Sequence, residues 1–354
     1  MNSLPGNFLL RFKFALTCLY VQLTNATIGL DNECFRGRNQ GKVQVSEAIR
    51  YGIRRNSAVV VFVFLAVAGL NAQQLEPRAY SISPIGVNVI NMSYGYSTGD
   101  LSFDPSLPIE NASARIHAGA AGYFRSINVA GRSANAAVVV PYVAGHLQGN
   151  VQGTFTQAYR SGLADSFARF SINLYGARAM NLKEFAGYRQ RTNIGVSVVV
   201  SAPTGQYDPA RAISIGTNRW SFKPEIGLTH AFRKTRLVLD AYAGAWIYST
   251  NNNYQGGTRS QEPIYNSQFH LSYDVKPRLW LAFDANFYRG GLTTRNGVEG
   301  NDLQRNSRIG TTASVPFGRR QSMKASYSAG AVTRIGGNFK TVSIGYQYLW
   351  GGGL

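Results

Sequence analysis

From Val87 to the end of the chain, apolar residues recur at every second position, in segments of about ten residues. A period of two is the repeat of a β-strand whose two faces meet different surroundings, and about ten residues, tilted, cross the hydrocarbon of a bilayer. Twelve such segments are predicted, near residues 87–98, 112–126, 133–147, 164–176, 192–202, 222–232, 236–249, 265–275, 279–289, 305–316, 321–334 and 339–350. In the fifth, Ile194, Val196, Val198 and Val200 share one face and Asn193, Gly195, Ser197 and Val199 the other. Phe269, Leu271, Tyr273 and Val275 oppose Gln268, His270, Ser272 and Asp274 in the same way, as Leu279, Leu281, Phe283 and Phe287 oppose Trp280, Asp284 and Asn286. A soluble β-sandwich shows the same alternation with its apolar face as the core, so period two by itself leaves both architectures open.

Three features favour a membrane barrel. First, the connections alternate in length, as a barrel with short periplasmic turns and long outer loops requires. Tight turns fall at Ile127–Arg132, Arg233–Thr235, Lys276–Arg278 and Phe317–Arg320; long polar stretches lie at Gly99–Asn111, Gln148–Leu163, Pro203–Ser221, Thr250–Ile264 and Gly290–Gln304. Ala177–Arg191 is a long connection on the short-turn side with room for a small helix, and Ile335–Asn338 a short one on the long-loop side. An even strand count puts both termini of the barrel in the periplasm. Second, aromatic residues stand near strand ends (Tyr94, Tyr96, Tyr123, Phe124, Trp246, Tyr248, Phe287, Tyr288), where interfacial girdles are expected; sandwich-core aromatics are the plainer alternative. Third, Gly345, Tyr348 and Trp350 close the last strand in the pattern by which the outer-membrane barrel assembly machinery recognises its clients, although Gly-Gly-Gly-Leu follows Trp350 where such chains commonly stop at the aromatic.

Composition agrees. There are 38 Gly and 39 Tyr plus Phe against 15% charged residues, and outside residues 58–70 no apolar run approaches the length of a membrane helix. The formal charge of +19 raises the question of nucleic acid, but the arginines are scattered singly with no basic run or DNA-binding motif to gather them. Arg54 and Arg55 precede the apolar run 58–70, and Asn71-Ala72 offer a cleavage point before Gln73. Residues 54–72 therefore read as a secretory signal peptide, with an uncleaved anchor as the alternative. The mature barrel is expected to be 73–354, with residues 1–53 a non-native or mis-assigned extension and the true start near 43–55; a tryptic peptide from residues 14–36 in native protein would refute this. Both cysteines, Cys18 and Cys34, precede the leader, so the expected mature chain has none.

Charges on the polar faces of strands carry the functional expectation: Arg115, Arg169, Glu225, Asp240, Asp284, Arg308 and Lys324. A midplane Arg or Lys facing lipid costs about 2–4 kcal/mol, so these side chains are expected to point into the lumen. There they line a solute track or form an ion-pair lattice that plugs it. Eight strands are filled by side chains and sixteen leave a channel, so twelve settles neither. The loop Pro203–Ser221 carries Tyr207, Asp208, Arg211, Arg219 and Trp220, suited to a lid over the mouth or to a loop held rigid by turn chemistry. No metal spacing or phosphate loop is present, and His117, His146, His230 and His270 are far apart. No catalytic residue, cofactor or metal is assigned; a Ser-His-Asn or Ser-His-Asp cluster meeting in space would mark an outer-membrane hydrolase.

Ala202-Pro-Thr-Gly-Gln-Tyr-Asp-Pro209, Gly216-Thr-Asn-Arg-Trp-Ser-Phe-Lys-Pro-Glu225, Asp240-Ala-Tyr-Ala-Gly-Ala-Trp246, Phe287-Tyr-Arg-Gly-Gly291 and Asn306-Ser-Arg308 resemble the bacterial outer-membrane transporter family of the meta-pathway of phenol degradation. The resemblance implies a barrel and transport of a small solute, hydrophobic or aromatic; it supplies no catalytic residues. The expected architecture is thus all-β, a transmembrane antiparallel up-and-down β-barrel of about twelve strands in the outer membrane. Its expected partners are outer-membrane lipid, the barrel assembly machinery and a small-molecule solute, not nucleic acid. The alternatives are a non-conducting structural or binding barrel and an outer-membrane hydrolase.

Overall fold

The computed structural model describes residues 75–103, 109–211 and 213–354, so the expected signal peptide and extension lie outside the described residues. The strands are β1 (Val87–Ser102), β2 (Ile109–Val129), β3 (Arg132–Val151), β4 (Thr154–Leu163), β5 (Phe167–Tyr175), β6 (Thr192–Ser201), β7 (Ser221–Ala231), β8 (Leu237–Tyr248), β9 (Asn251–Tyr254), β10 (Gly257–Gln261), β11 (Ile264–Lys276), β12 (Leu279–Gly290), β13 (Thr293–Arg295), β14 (Val298–Glu299), β15 (Gln304–Pro316), β16 (Gln321–Val332) and β17 (Gly336–Gly351). One short helix, α1 (Leu182–Gly187), stands in the long connection between β5 and β6.

The wall is an antiparallel ring in which each crossing pairs with its chain neighbours. It closes where β1 meets β17, from Val87 opposite Gly351 to Ser102 opposite Gly336. The ring has twelve crossings because β4 and β5 are two pieces of one: β4 pairs with the outer part of β3 and β5 with Ala134–Val139 below it. The interruption falls opposite Pro141, which has no N–H to give the ladder; the Ala164 N–H turns to the Pro141 carbonyl instead, at 2.9 Å.

The alternation places side chains as expected. Asn193, Ser197, Asn266, Gln268, His270, Ser272 and Asp284 are buried, whereas Val198, Phe269, Leu271, Tyr273, Leu281, Phe283 and Phe287 are exposed on the outer wall. Large apolar side chains exposed around the whole circumference, with polar ones buried inside, are the inverse of a soluble domain and fit a lipid-embedded barrel.

Three stretches expected as long loops are folded. Gln148–Leu163 is an extension of the wall, the β3–β4 hairpin paired to Val151 opposite Thr154. Thr250–Ile264 contains β9 and β10, and Gly290–Gln304 contains β13 and β14; these four form a separate small sheet in the order β14-β13-β10-β9. These short strands are largely polar, and so give no period-two signal. At the other end, α1 is fixed by a reciprocal cap: Asn181 Oδ1 accepts from the Glu184 N–H at 3.0 Å and Glu184 Oε2 from the Asn181 N–H at 2.9 Å.

Leu75–Gly86 enters the barrel. Ile82 packs with Ala177 and Met180 at the periplasmic mouth, and the Ile85 and Gly86 N–H groups donate to the carbonyls of Met180 (2.9 Å) and Ser126 (3.0 Å). Further in, Tyr80 is 1% exposed. Room for its ring exists because Gly195 and Gly227, neighbours across β6 and β7, lack a Cβ: one added at either would run into the ring.

Candidate functional site: the lumen and its outer vestibule

Six of the seven expected lumenal charges face inward. Arg169 lies between two carboxylates, with Nη1 3.2 Å from Glu76 Oε2 and Nη2 3.4 Å from Glu225 Oε1. Glu225 also pairs with Lys223 at 3.0 Å and accepts from the Tyr80 hydroxyl at 3.2 Å. Asp240 accepts from Thr229 Oγ1 (2.6 Å) and from the Arg78 N–H (3.2 Å), and Arg78 reaches Asp274 at 2.8 Å. Asp284, fully buried, binds His270 Nδ1 at 2.7 Å and accepts from Thr312 Oγ1 at 2.7 Å. Arg308 donates to Ser328 Oγ, the Phe339 carbonyl and Thr341 Oγ1. Lys324 Nζ sits 5.6 Å from the centre of the Trp280 ring, which Arg78 also approaches. The lumen is thus a cross-braced lattice threaded by Glu76, Arg78 and Tyr80 of the N-terminal segment, residues that sequence reading left unassigned.

Arg115 is the exception. It is exposed on β2, opposite in parity to the buried Ala112, Ala114 and Ala118. It lies near the outer end of the strand, between Thr98 and His146, where the water boundary removes the penalty that would have turned it inward.

The expected girdle divides. Tyr94 and Tyr96 lie against His117 (centroids 6.4 and 5.0 Å), Phe287 is exposed, and Tyr123 lies 6.1 Å from Trp350. Tyr348 stacks on Trp350 at 6.0 Å, and Gly345 stands opposite Lys324. Tyr123, Tyr348 and Trp350 group at the periplasmic rim, near the Val87–Gly351 end of the wall, whereas Phe287 lies near the outer end of β12. Trp246 and Tyr288, by contrast, are buried inside the barrel with Val199 and Ile264, and Phe167 and Tyr248 pack against them. Trp246 has the parity of the inward-facing Asp240, so its direction was readable in β8.

Above this cluster, a cavity of about 500 Å³ lies among the outer loops, between Pro203–Ser221, the β9–β14 sheet and the ends of β1 and β17. The 203–221 loop is tied down. Asp165 accepts from the N–H groups of Gly205 and Thr217 (both 2.9 Å) and from Thr217 Oγ1 (2.6 Å). Gly205 and Gly216 approach so closely that a Cβ on either would meet the other's backbone. Tyr207 donates to the Asn253 carbonyl at 2.7 Å, Asp208 pairs with Arg211 at 2.7 Å, and the Trp220 N–H donates to Ser249 Oγ at 2.9 Å, its ring exposed. Arg219 stacks on Tyr248, 4.2 Å from its centre, and donates to Gln261.

Among the described residues no group of three His, Cys, Asp or Glu side chains is arranged to hold a metal. His270 uses both ring nitrogens, on Asp284 and Gln268; His117 and His230 bond Tyr94 and Thr192. No described histidine bonds a serine.

The family described as "Putative MetA-pathway of phenol degradation" matches residues 100–346. Among solved structures, the COG4313 outer membrane channel from Pseudomonas putida F1 is similar with a TM-score of 0.66 and 18% identity, covering 78% of this chain and 100% of that one. The Pseudomonas putida toluene transporter TodX aligns with a TM-score of 0.42 and 11% identity over 82% of this chain and 96% of that one. The transport unit of the autotransporter AIDA-I from Escherichia coli aligns with a TM-score of 0.42 and 10% identity over 80% and 94%. No curated protein matches the sequence.

Proposed function

For a chain that belongs to the phenol-degradation family by a match over residues 100–346, we propose that the barrel moves small aromatic or otherwise hydrophobic solutes across the outer membrane. The observation that carries this reading is the inward-facing cluster of Trp246, Tyr288, Ile264 and Val199, set directly below the vestibule. The buried aromatics Tyr80, Tyr242 and Trp280 lie against charged or hydrogen-bonding groups of the lattice, whereas this cluster joins its rings to the aliphatic Val199 and Ile264. Such a cluster attracts an aromatic ring from water through apolar burial and offset or edge contacts. Binding and release need no cofactor, nucleotide or covalent step.

Cells expressing the chain should take up a labelled monoaromatic compound faster than cells lacking it; equal rates would refute the proposal. A second reading, a non-conducting barrel, is supported by the lattice around Arg169 and the threaded segment at Tyr80. It predicts a well-folded, heat-modifiable protein that neither conducts ions nor changes uptake. On the transport reading, the same lattice keeps ions out while the outer half receives the solute.

A further inference from the structure

We propose that the vestibule takes a monocyclic aromatic ring bearing a carboxylate, which is held by the guanidinium groups of Arg219 and Arg259 beside Tyr254. This rests on the transport reading and names its substrate class. The cavity's lining carries Arg211, Arg219, Arg259 and Arg295 against the carboxylates Glu299 and Asp302. Asp302 is already used: Oδ1 accepts from the Thr293 N–H at 2.8 Å and Oδ2 from Thr293 Oγ1 at 2.6 Å. Arg211 is paired with Asp208. No described carboxylate lies within ion-pair distance of Arg219, Arg259 or Arg295, and Nε and Nη1 of Arg219 and Nε of Arg259 are buried without a hydrogen-bond partner.

A buried N–H of a cation left unpaired is costly, and the group that relieves it best is a planar anion accepting two parallel bonds. Burial, and then the neighbouring charge of Arg259, pull the Arg219 pKa down to about 10. An incoming anion would offset both effects.

The aromatic half of the ligand is argued from the same walls. Arg259 and Arg295 each place their guanidinium carbon 5.3 Å from the centre of the Tyr254 ring. Leu101, Ile213, Val298 and Ile335 add apolar lining. A bare inorganic anion would leave those surfaces idle, and a neutral ring would leave the N–H groups unpaired. The volume of about 500 Å³ lies within the roughly 300–1,000 Å³ usual for small-molecule sites. The Trp246 and Tyr288 cluster lies below as the next aromatic surface.

The test is calorimetric titration of the purified full chain in detergent with benzoate, benzamide and inorganic phosphate, on wild type, R219Q, R259Q and R259K. Benzoate should bind saturably, and benzamide and phosphate each at least about tenfold more weakly, the loss expected for one charge-assisted contact. R219Q and R259Q should weaken benzoate by a similar factor while sparing benzamide, with R259K between them and wild type. Heat-modifiable migration verifies that each variant is folded, and the benzoate-benzamide comparison on wild type needs no variant. Equal affinity for benzoate and benzamide, or phosphate binding as tightly as benzoate, would overturn the proposal. Uptake of a neutral aromatic by expressing cells separates the two claims: if it persists while benzoate fails to bind, only this inference falls. If benzoate binds but no aromatic is taken up, the transport reading falls and the site remains as a surface receptor.

Discussion

Replacing Tyr80 with alanine should release the N-terminal segment from the lumen. The Tyr80 ring fills the space over Gly195 and Gly227, meets Tyr242 edge-on at 5.2 Å and lies under the Arg169 guanidinium at 5.1 Å. Its hydroxyl lies 3.0 Å from Ser197 Oγ and 3.2 Å from Glu225 Oε1. Truncating a buried aromatic costs about 3–5 kcal/mol, and one factor of ten in an equilibrium corresponds to about 1.4 kcal/mol. The population of the detached segment should therefore rise by about a hundredfold or more. Arg78, 17% exposed at its side chain and paired with Asp274, is a trypsin site that is cut only when the segment leaves. When opening is fast relative to cleavage, the cutting rate follows that population. Tyr80→Ala should thus be nicked at Arg78 far faster than wild type, as read by mass spectrometry. Gly227→Ala should do the same, because the new methyl group and the ring claim one space. In the Tyr80→Ala background the Gly227→Ala change should cost almost nothing. The packing argument is refuted if Arg78 is equally protected in Tyr80→Ala, or if the two substitutions add.

Asp284→Ala removes the acceptor of the buried His270 and Thr312 side chains and should destabilise the barrel by about 1–3 kcal/mol, the cost of leaving a buried polar group unsatisfied; a lowered urea midpoint checks it, and an unchanged one contradicts it. Asp165→Ala removes three hydrogen bonds that hold the 203–221 loop, each worth about 1.5–3 kcal/mol to a charged acceptor. Trypsin should then cut at Arg211 and Arg219 at least about tenfold faster, whereas equal protection would show that the loop is held elsewhere. Trp350→Ala, which removes the ring stacked on Tyr348 and lying beside Tyr123, should reduce the heat-modifiable barrel recovered from membranes while leaving refolding in detergent intact; a loss in both would assign the ring to stability alone.

The wall was legible because each strand crosses two solvents at once. Ile194 to Val200 and Phe269 to Val275 alternate because lipid and lumen alternate, and no tertiary detail is needed to read them. The β9–β10 and β13–β14 hairpins escaped because their strands are only two to five residues long and largely polar, too short to display an alternation. The threaded segment escaped for another reason. Leu75–Gly86 has no periodicity of its own, and its place is set by what the wall omits, at Gly195 and Gly227. Inward-facing glycines side by side on neighbouring strands were the available signal. Trp246 and Tyr288 were assigned to the rim by position along the strand, although parity with Asp240 and Asp284 already turned them inward. Arg115 failed in the converse way: the lipid penalty was applied at a level where the strand end meets water.

The most direct test is the initial rate at which intact cells, whose lipopolysaccharide leaflet slows unaided entry, take up a labelled monoaromatic compound through the wild-type barrel and through a Trp246→Ala, Tyr288→Ala double variant. The account predicts faster uptake than in cells without the protein, and loss of most of that increment in the double variant at equal folded protein in the membrane. Full retention of uptake by the double variant, or no increment with wild type, would contradict it.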